Sequence, residues 1–80
     1  MVAKPQFSEV MEREGRAYAQ AHPEERLRVL EACDEAAKGR ISRDAEVLIW
    51  VEHNTAFVKG YTFWIHRNDD GEWEAKPVVH

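Results

Sequence analysis

The chain has 80 residues, of which 44% are hydrophobic and 32% are charged, and its net charge is −4. This composition is typical of a folded domain and excludes a disordered tail. A chain of this length has room for one hydrophobic core, so we expect a single small domain over residues 1–80. The only cysteine, Cys33, excludes an internal disulfide and indicates a reducing compartment.

The sequence contains no signal for a membrane or for export. No apolar run approaches the roughly 18 residues that span a bilayer. The first ten residues, MVAKPQFSEV, lack the apolar centre of a signal peptide. We therefore expect a cytoplasmic protein with no membrane partner.

The charge is distributed unevenly along this small acidic protein. Residues 1–44 carry nine acids and eight bases, whereas residues 45–80 carry six acids and three bases. The net negative charge counts against general nucleic-acid binding. An acidic second half would instead suit a basic partner surface.

Two helices are predicted in the first half of the chain. The first runs from Pro5 or Ser8 to Ala21, and its apolar stripe contains Phe7, Val10, Met11, Tyr18 and Ala21. Gly15 costs about 1 kcal/mol inside a helix and indicates either a weak helix or close contact with a neighbouring backbone. The second helix starts at Pro23, with Glu24 and Glu25 at its positive end, and stops at Lys38-Gly39. Its core stripe is Leu27, Leu30, Cys33 (or Asp34) and Ala37, with Val29 and Ala36 beside it, and Ile41 follows as a plug for the core.

The second half predicts a three-stranded antiparallel meander. The predicted fold is therefore α+β, with the order α-α-β-β-β. The two helices form a hairpin that packs on one face of the sheet. The segment NDDG, residues 68–71, suits a type I turn followed by a left-handed glycine. That turn pairs Arg67 with Trp73, Ile65 with Ala75, Phe63 with Pro77 and Tyr61 with Val79. On the other face it pairs His66 with Glu74, Trp64 with Lys76 as a cation–π contact, and Thr62 with Val78. Pro77 requires an edge strand, because it has no N–H to donate.

The earlier hairpin is predicted to turn through a three-residue loop at residues 54–56. One face of the sheet then holds the core residues Val47, Ile49, Val51, Phe57, Tyr61, Phe63, Ile65, Trp73 and Ala75. The opposite face holds Leu48, Trp50, Val58, Thr62, Trp64, His66, Glu74, Lys76 and Val78. A slip of one residue in this loop would mix the two sets.

The second of these faces is the candidate functional surface. If both helices cover the core face, an apolar patch with a polar rim is left open, which is typical of an interaction site. The alternatives are that one helix packs on each face, or that the true register breaks up the patch. The predicted partner-binding residues are Trp50, Trp64, Leu48, Val58, His66, Glu74 and Lys76.

One segment has a resemblance to a known family. KGYTFWIH, residues 59–66, resembles the RNP1 signature of RNA-recognition-motif domains, and IWVEHN, residues 49–54, is loosely similar to that family's partner motif. The resemblance implies that Tyr61 and Phe63 stack on bases. The sequence departs from the pattern at Thr62, Trp64 and His66. It also has only four residues between the two motifs, where that fold places a helix and a strand.

Catalytic, metal and cofactor signatures are weak in this sequence. The four histidines and Cys33 lack the spacing of a structural zinc site, and the glycines do not form a phosphate loop. Cys33 lies on a core stripe, which favours an inert thiol over a nucleophile. His66 beside Glu74 could act as an acid–base pair, but a surface cross-strand pair explains it equally well. We expect no catalysis, no metal and no cofactor.

The resulting functional hypothesis is a small intracellular protein–protein interaction module. It would be a regulator or inhibitor of the kind found in phages or mobile elements, and it would dock through the aromatic sheet face onto a protein partner or a second copy as a dimer. The alternative is single-stranded nucleic-acid binding through the same sheet aromatics, with Trp50 and Trp64 as stacking platforms. The acidic charge makes nucleic acid the less favoured partner.

Overall fold

A computed structural model of the chain describes the backbone of residues 3–78 and the side chains of residues 9–78. Two helices are followed by four strands, which form one antiparallel sheet in the order β1-β2-β3-β4. The α+β class and the helical hairpin are confirmed, whereas the predicted three-stranded sheet is wrong because the sheet has a fourth strand. The elements are α1 (Ala3–Ala21), α2 (Pro23–Ala36), β1 (Val47–Trp50), a 3-10 turn (Val51–His53), β2 (Thr55–Val58), β3 (Tyr61–Arg67) and β4 (Trp73–Pro77).

Helix α2 begins and ends where its sequence signals predict. Pro23 is its first residue, and Lys38 and Gly39 both take left-handed conformations, with φ of 60° and 77°, just after its end. The Gly39 N–H donates to the Asp34 carbonyl at 2.9 Å. The Asp34 side chain accepts the N–H of Ile41 at 3.0 Å, which fixes the loop so that Ile41 is buried in the core as predicted.

The core lies between α2 and one face of the sheet. Leu27 is wrongly predicted as a core residue, because it is 39% exposed while Val29, on the adjacent side of the helix, is fully buried. The stripe of α2 therefore runs through Val29, Leu30 and Cys33. The buried cluster comprises Ala19, Val29, Leu30, Cys33, Ile41, Val47, Ile49, Ala56, Val58, Phe63 and Ile65.

Helix α1 packs mainly along β1, and its C-terminal part contributes Ala19 to the buried cluster. A Cβ atom added to Gly15 would lie 2.8 Å from Cε2 of Trp50 and 3.0 Å from Cβ of Leu48, so this glycine permits close approach of helix and strand. The indole N–H of Trp50 donates to the Met11 carbonyl at 2.7 Å. Arg16 adds an ion pair of 2.6 Å to Glu46 just before β1.

The packing of α1 corrects the prediction that both helices cover one face of the sheet. Leu48 and Trp50 alternate with the core residues Val47 and Ile49, so α1 reaches the second face at β1. The predicted stripe of α1 is correct for Met11 and Tyr18, which are partly buried, but wrong for Val10 and Ala21, which are exposed. The described helix extends N-terminal to both predicted starts, and the side chains of Phe7 and Ser8 lie outside the described residues.

A tight turn at Lys59-Gly60 creates the fourth strand. Both residues have positive φ, 50° and 85°, as in the type I′ turn that favours two-residue hairpins. The β1–β2 hairpin turns through the 3-10 turn and Asn54, whose φ is 51°. This turn comes earlier in the chain than the loop predicted at residues 54–56. Val58 therefore pairs with Val47 and Tyr61, which places it on the core face, and Phe57 moves to the opposite face. Val51 is 39% exposed rather than in the core.

The β3–β4 hairpin is predicted correctly. The register pairs Arg67 with Trp73, Ile65 with Ala75, Phe63 with Pro77, Trp64 with Lys76 and His66 with Glu74. The Gly71 N–H donates to the Asn68 carbonyl at 2.9 Å, and Gly71 has the expected positive φ of 79°. The Val78 N–H donates to Thr62, which extends the same register, while the predicted partner of Tyr61, Val79, lies outside the described residues.

A polar cluster centred on Glu25 links both helices to the hairpin. The Tyr18 hydroxyl donates to one carboxylate oxygen of Glu25 at 2.5 Å, and the Arg67 guanidinium donates to the other. Arg67 also lies over the ring of Trp73, 4.7 Å from its centroid. The hydrogen bond from Tyr18, and to a smaller extent that from Arg67, holds the pKa of Glu25 below its usual range. The cluster therefore ties α1, α2, β3 and β4 together.

Candidate functional site

The seven residues predicted as a partner surface do not lie together on one surface. Val58 is fully buried in the core, so its assignment to the second face is wrong. Leu48 is only 4% exposed and Trp50 is partly buried, because α1 covers them. The four that remain exposed on the face opposite α2 are Trp64, His66, Glu74 and Lys76.

An exposed tryptophan lies at the centre of the uncovered part of this face. Trp64 is 53% exposed and lies between Thr55 on β2 and Lys76 on β4. Phe57, which is 37% exposed, occupies the adjacent row of the same face, opposite Thr62. We call this surface the open sheet face and define it by Phe57, Thr62, Trp64, His66, Glu74 and Lys76.

Phe57 is the member of the open sheet face that the sequence prediction missed. The sequence pattern predicts Phe57 for the core because it places a continuous strand through Lys59 and Gly60, where the structure has a turn. The available signal was the Gly60 that follows Lys59, since a two-residue turn ending in glycine suits a hairpin. With that turn in place, strand alternation puts Phe57 and Trp64 on the same face.

A hydrogen-bonded polar group borders the aromatic residues at the hairpin end. Nε2 of His66 lies 3.0 Å from Oε1 of Glu74, as the predicted pairing requires. The Asn68 side-chain amide donates to the other oxygen of Glu74 at 3.0 Å. The Asn68 hydrogen bond, followed by the charge of His66, lowers the pKa of the Glu74 carboxyl. Both carboxylate oxygens are therefore engaged, and the group forms an ordered polar rim.

The surroundings of His66 and Glu74 are open rather than enclosed. Their side chains are 51% and 53% exposed. A groove of about 260 Å³ runs past them at the β4 edge, which is smaller than the roughly 300–1,000 Å³ typical of small-molecule sites. Within the described residues, His, Cys, Asp and Glu side chains do not form groups of three or more that could hold a metal ion.

The cation–π contact of the hairpin lies on the opposite face from the one predicted. Trp64 and Lys76 are ladder partners as expected. The structure instead places a cation over an aromatic ring at Arg67 and Trp73, on the face that α2 covers. Trp64 itself is 53% exposed on the open sheet face.

The two aromatic residues implied by the RNP1 resemblance lie on the core face. Phe63 is 1% exposed and belongs to the buried cluster, so it cannot stack on a base in this fold. Tyr61 is 50% exposed at the end of the same face, with its ring 6.5 Å from that of Phe63 in an edge-to-face arrangement. The expected pair of stacking residues is therefore not presented together.

Cys33 is a buried thiol, as the sequence pattern predicts. Its side chain is fully enclosed in the core, and burial raises its pKa to about 12. A thiol of this kind is protonated at neutral pH and is a poor nucleophile. Its place in the structure is that of a small apolar core residue.

No family model, curated protein or solved structure matches this chain. Neither helix, over the residues that the structure describes, has the length and apolar character needed to cross a membrane.

Proposed function

We propose that this chain is a non-catalytic protein-binding module, a small regulator or inhibitor that docks through the open sheet face. The observation that carries the proposal is the 53% exposure of Trp64 on a sheet face that α2 does not cover. Tryptophan is the residue type most enriched among interface hot spots, and an exposed one beside Phe57 offers a large apolar contact. The single reduced thiol supports action in a cytoplasmic compartment.

The chemistry of the face suggests the kind of partner. Trp64 and Phe57 would insert into an apolar depression, while the rim of His66, Glu74 and Lys76 would form hydrogen bonds at the edge. The hairpin turn beside this rim adds Asp69, Asp70 and Glu72, so that end of the face is acidic. A partner with a basic border would approach faster and in one orientation.

The first experiment compares two aromatic variants as baits for partner proteins. Trp64→Ala removes the centre of the open sheet face, whereas Tyr61→Ala removes an equally exposed aromatic ring from the opposite face. We expect a partner that binds the wild type and Tyr61→Ala but binds Trp64→Ala at least about tenfold more weakly. Equal binding to all three proteins would contradict the proposed surface.

A second copy of the chain and nucleic acid are the other candidate ligands of this face. Light scattering after size exclusion, over a tenfold dilution, gives the absolute mass, and a Trp64-dependent dimer would mean that the face binds itself. Titration of tryptophan fluorescence with single-stranded oligonucleotides tests the nucleic-acid alternative. Quenching that weakens steeply with salt and is lost in Trp64→Ala would favour nucleic acid over a protein partner.

A further inference from the structure

A groove lined by two cationic residues lies on the opposite side of the sheet from Trp64. It is formed where the end of α2, the start of β3 and the end of β4 meet, and its volume is about 450 Å³. Its walls include Ala36, Tyr61, Phe63, Pro77 and Val78. Its volume lies within the roughly 300–1,000 Å³ of small-molecule sites, and its lining combines apolar walls with a few polar groups.

The charge of this groove is opposite to that of the protein. The chain carries a net charge of −4, yet the charged residues among the described residues that line the groove are Lys38 and Arg40, with no acid. Three other grooves on the surface each contain at least one glutamate. Neither Lys38 nor Arg40 forms an ion pair with any residue from 9 to 78. The carboxyl end of α2 contributes a partial charge of about −0.5, so the described residues of the groove are together net positive.

An aromatic ring is accessible beside these cations. Tyr61 is 50% exposed, and the buried ring of Phe63 supports it from the side at 6.5 Å between centroids. A planar ligand could therefore stack on Tyr61 without displacing a core residue. The apolar side chains of Pro77 and Val78 line the same groove.

Lys38 has a backbone conformation that favours glycine over lysine. Lys38 has a φ of 60°, a left-handed conformation that disfavours any residue with a Cβ atom and that glycine adopts freely. Lys59, in the β2–β3 turn, has nearly the same φ of 50° but does not line the groove. The two lysines therefore share the same backbone cost and the same charge, and they differ in their position relative to the groove.

We propose that this groove binds a small planar aromatic anion, whose ring stacks on Tyr61 and whose negative group contacts Lys38 and Arg40. The site is independent of the open sheet face, because Tyr61 and Trp64 lie on opposite faces of β3. The ligand class combines a ring with a carboxylate, sulfonate or phosphate.

The test uses anilinonaphthalene sulfonate, a fluorescent aromatic anion, with phenylnaphthylamine as the matched neutral ring and inorganic phosphate as the matched anion. We expect the sulfonate to bind more tightly than either control and to shift the amide NMR signals of residues 36–40 and 60–63. Lys38→Gly should raise the Kd of the sulfonate about threefold, because a cation is lost from the groove. It should also raise the urea midpoint of unfolding, because glycine suits the positive φ at this position. Lys59→Gly should raise the midpoint similarly and leave the Kd unchanged.

Three further variants locate the site. Tyr61→Ala should raise the Kd about fivefold, and Arg40→Ala about threefold, whereas Trp64→Ala should not change it. Displacement of the dye by millimolar adenosine monophosphate indicates an aromatic phosphate ligand, and displacement by indoleacetate indicates an aromatic carboxylate. The proposal is overturned if neither displaces the dye, if the neutral ring binds as tightly as the sulfonate, or if Trp64→Ala weakens binding more than Lys38→Gly does.

Discussion

Replacing Gly15 by alanine tests how α1 is attached to the sheet. In an exposed helix this substitution would stabilise the protein by about 1 kcal/mol, because alanine is the better helix former. Here the new methyl group would lie 2.8 Å from Cε2 and 2.9 Å from Cζ2 of Trp50. It would also lie 3.0 Å from Cβ of Leu48, an atom that cannot move without the strand.

The steric cost should exceed the gain in helix propensity. Trp50 cannot rotate away freely, because its indole N–H is bonded to the Met11 carbonyl. Forcing an extra methyl group into a well-packed contact costs about 1–3 kcal/mol. After subtraction of the propensity gain of about 1 kcal/mol, we expect a net loss of about 1 kcal/mol. With a typical urea m-value of about 1 kcal/mol/M, the midpoint would fall by about 1 M.

The assay is equilibrium urea unfolding followed by circular dichroism. Ala17→Gly is the matched control, because Ala17 is exposed on the same helix and should lose about 1 kcal/mol from propensity alone. In a Trp50→Ala background, Gly15→Ala should destabilise less than in the wild type, since the contacts with the indole are removed and only the 3.0 Å contact with Cβ of Leu48 remains. If Gly15→Ala stabilises the otherwise wild-type protein, α1 does not pack on β1 as described.

Three further outcomes follow from individual contacts. Glu25→Gln should lower the free energy of unfolding by about 0.5–1 kcal/mol at neutral pH, measured in urea, because Tyr18 and Arg67 both bond the carboxylate. Because the folded-state pKa of Glu25 is lowered, this stabilisation is present above the usual carboxyl pKa and should vanish as the pH falls through the lowered value. A difference in unfolding free energy between wild type and Glu25→Gln that stays constant across that pH range would contradict this prediction. Cys33 should react with a thiol reagent only at the rate of unfolding, so rapid labelling of the native protein would show that it is not buried. Lys59→Gly should stabilise by about 1 kcal/mol, since glycine suits the positive φ, and a loss of stability would contradict the turn assignment.

The β3–β4 hairpin could be predicted from sequence because its turn fixes its register. The NDDG segment contains a glycine at the one position that needs positive φ, and Asn68 bonds the backbone N–H groups of Asp70 and Glu72 at 2.9 and 3.0 Å. Once that turn is placed, every cross-strand pair follows from the pleat. The pairing of His66 with Glu74 was therefore predictable to the residue.

The β2–β3 hairpin could not be placed correctly because its turn carries an atypical residue. A type I′ turn favours asparagine or glycine at its first position, whereas this chain has Lys59 there. Without that turn, the sequence pattern predicts one continuous strand over residues 57–63. The resulting shift of one residue exchanged Val58 and Phe57 between the faces, which is the expected effect of a register error in a strand.

The position of α1 depends on the contact between Gly15 and β1. The sequence indicates close contact of Gly15 with a neighbouring backbone, and in the structure the atoms that approach it belong to the side chains of Trp50 and Leu48. The pattern could not say which strand it approaches, because packing between distant segments has no local signal. As a result two of the three tryptophans were predicted for the binding surface, and one of them, Trp50, holds the helix instead.

The most direct test of the functional account is the free energy of unfolding of Trp64→Ala, because a residue retained for binding should contribute little to the fold. Trp64 is half exposed, so we expect a change within about 1 kcal/mol, as for other exposed strand residues. Trp50→Ala, measured alongside, should lose more because Trp50 anchors α1. A loss of about 3–5 kcal/mol in Trp64→Ala, the range for a core tryptophan, would contradict the open sheet face and the binding function proposed for it.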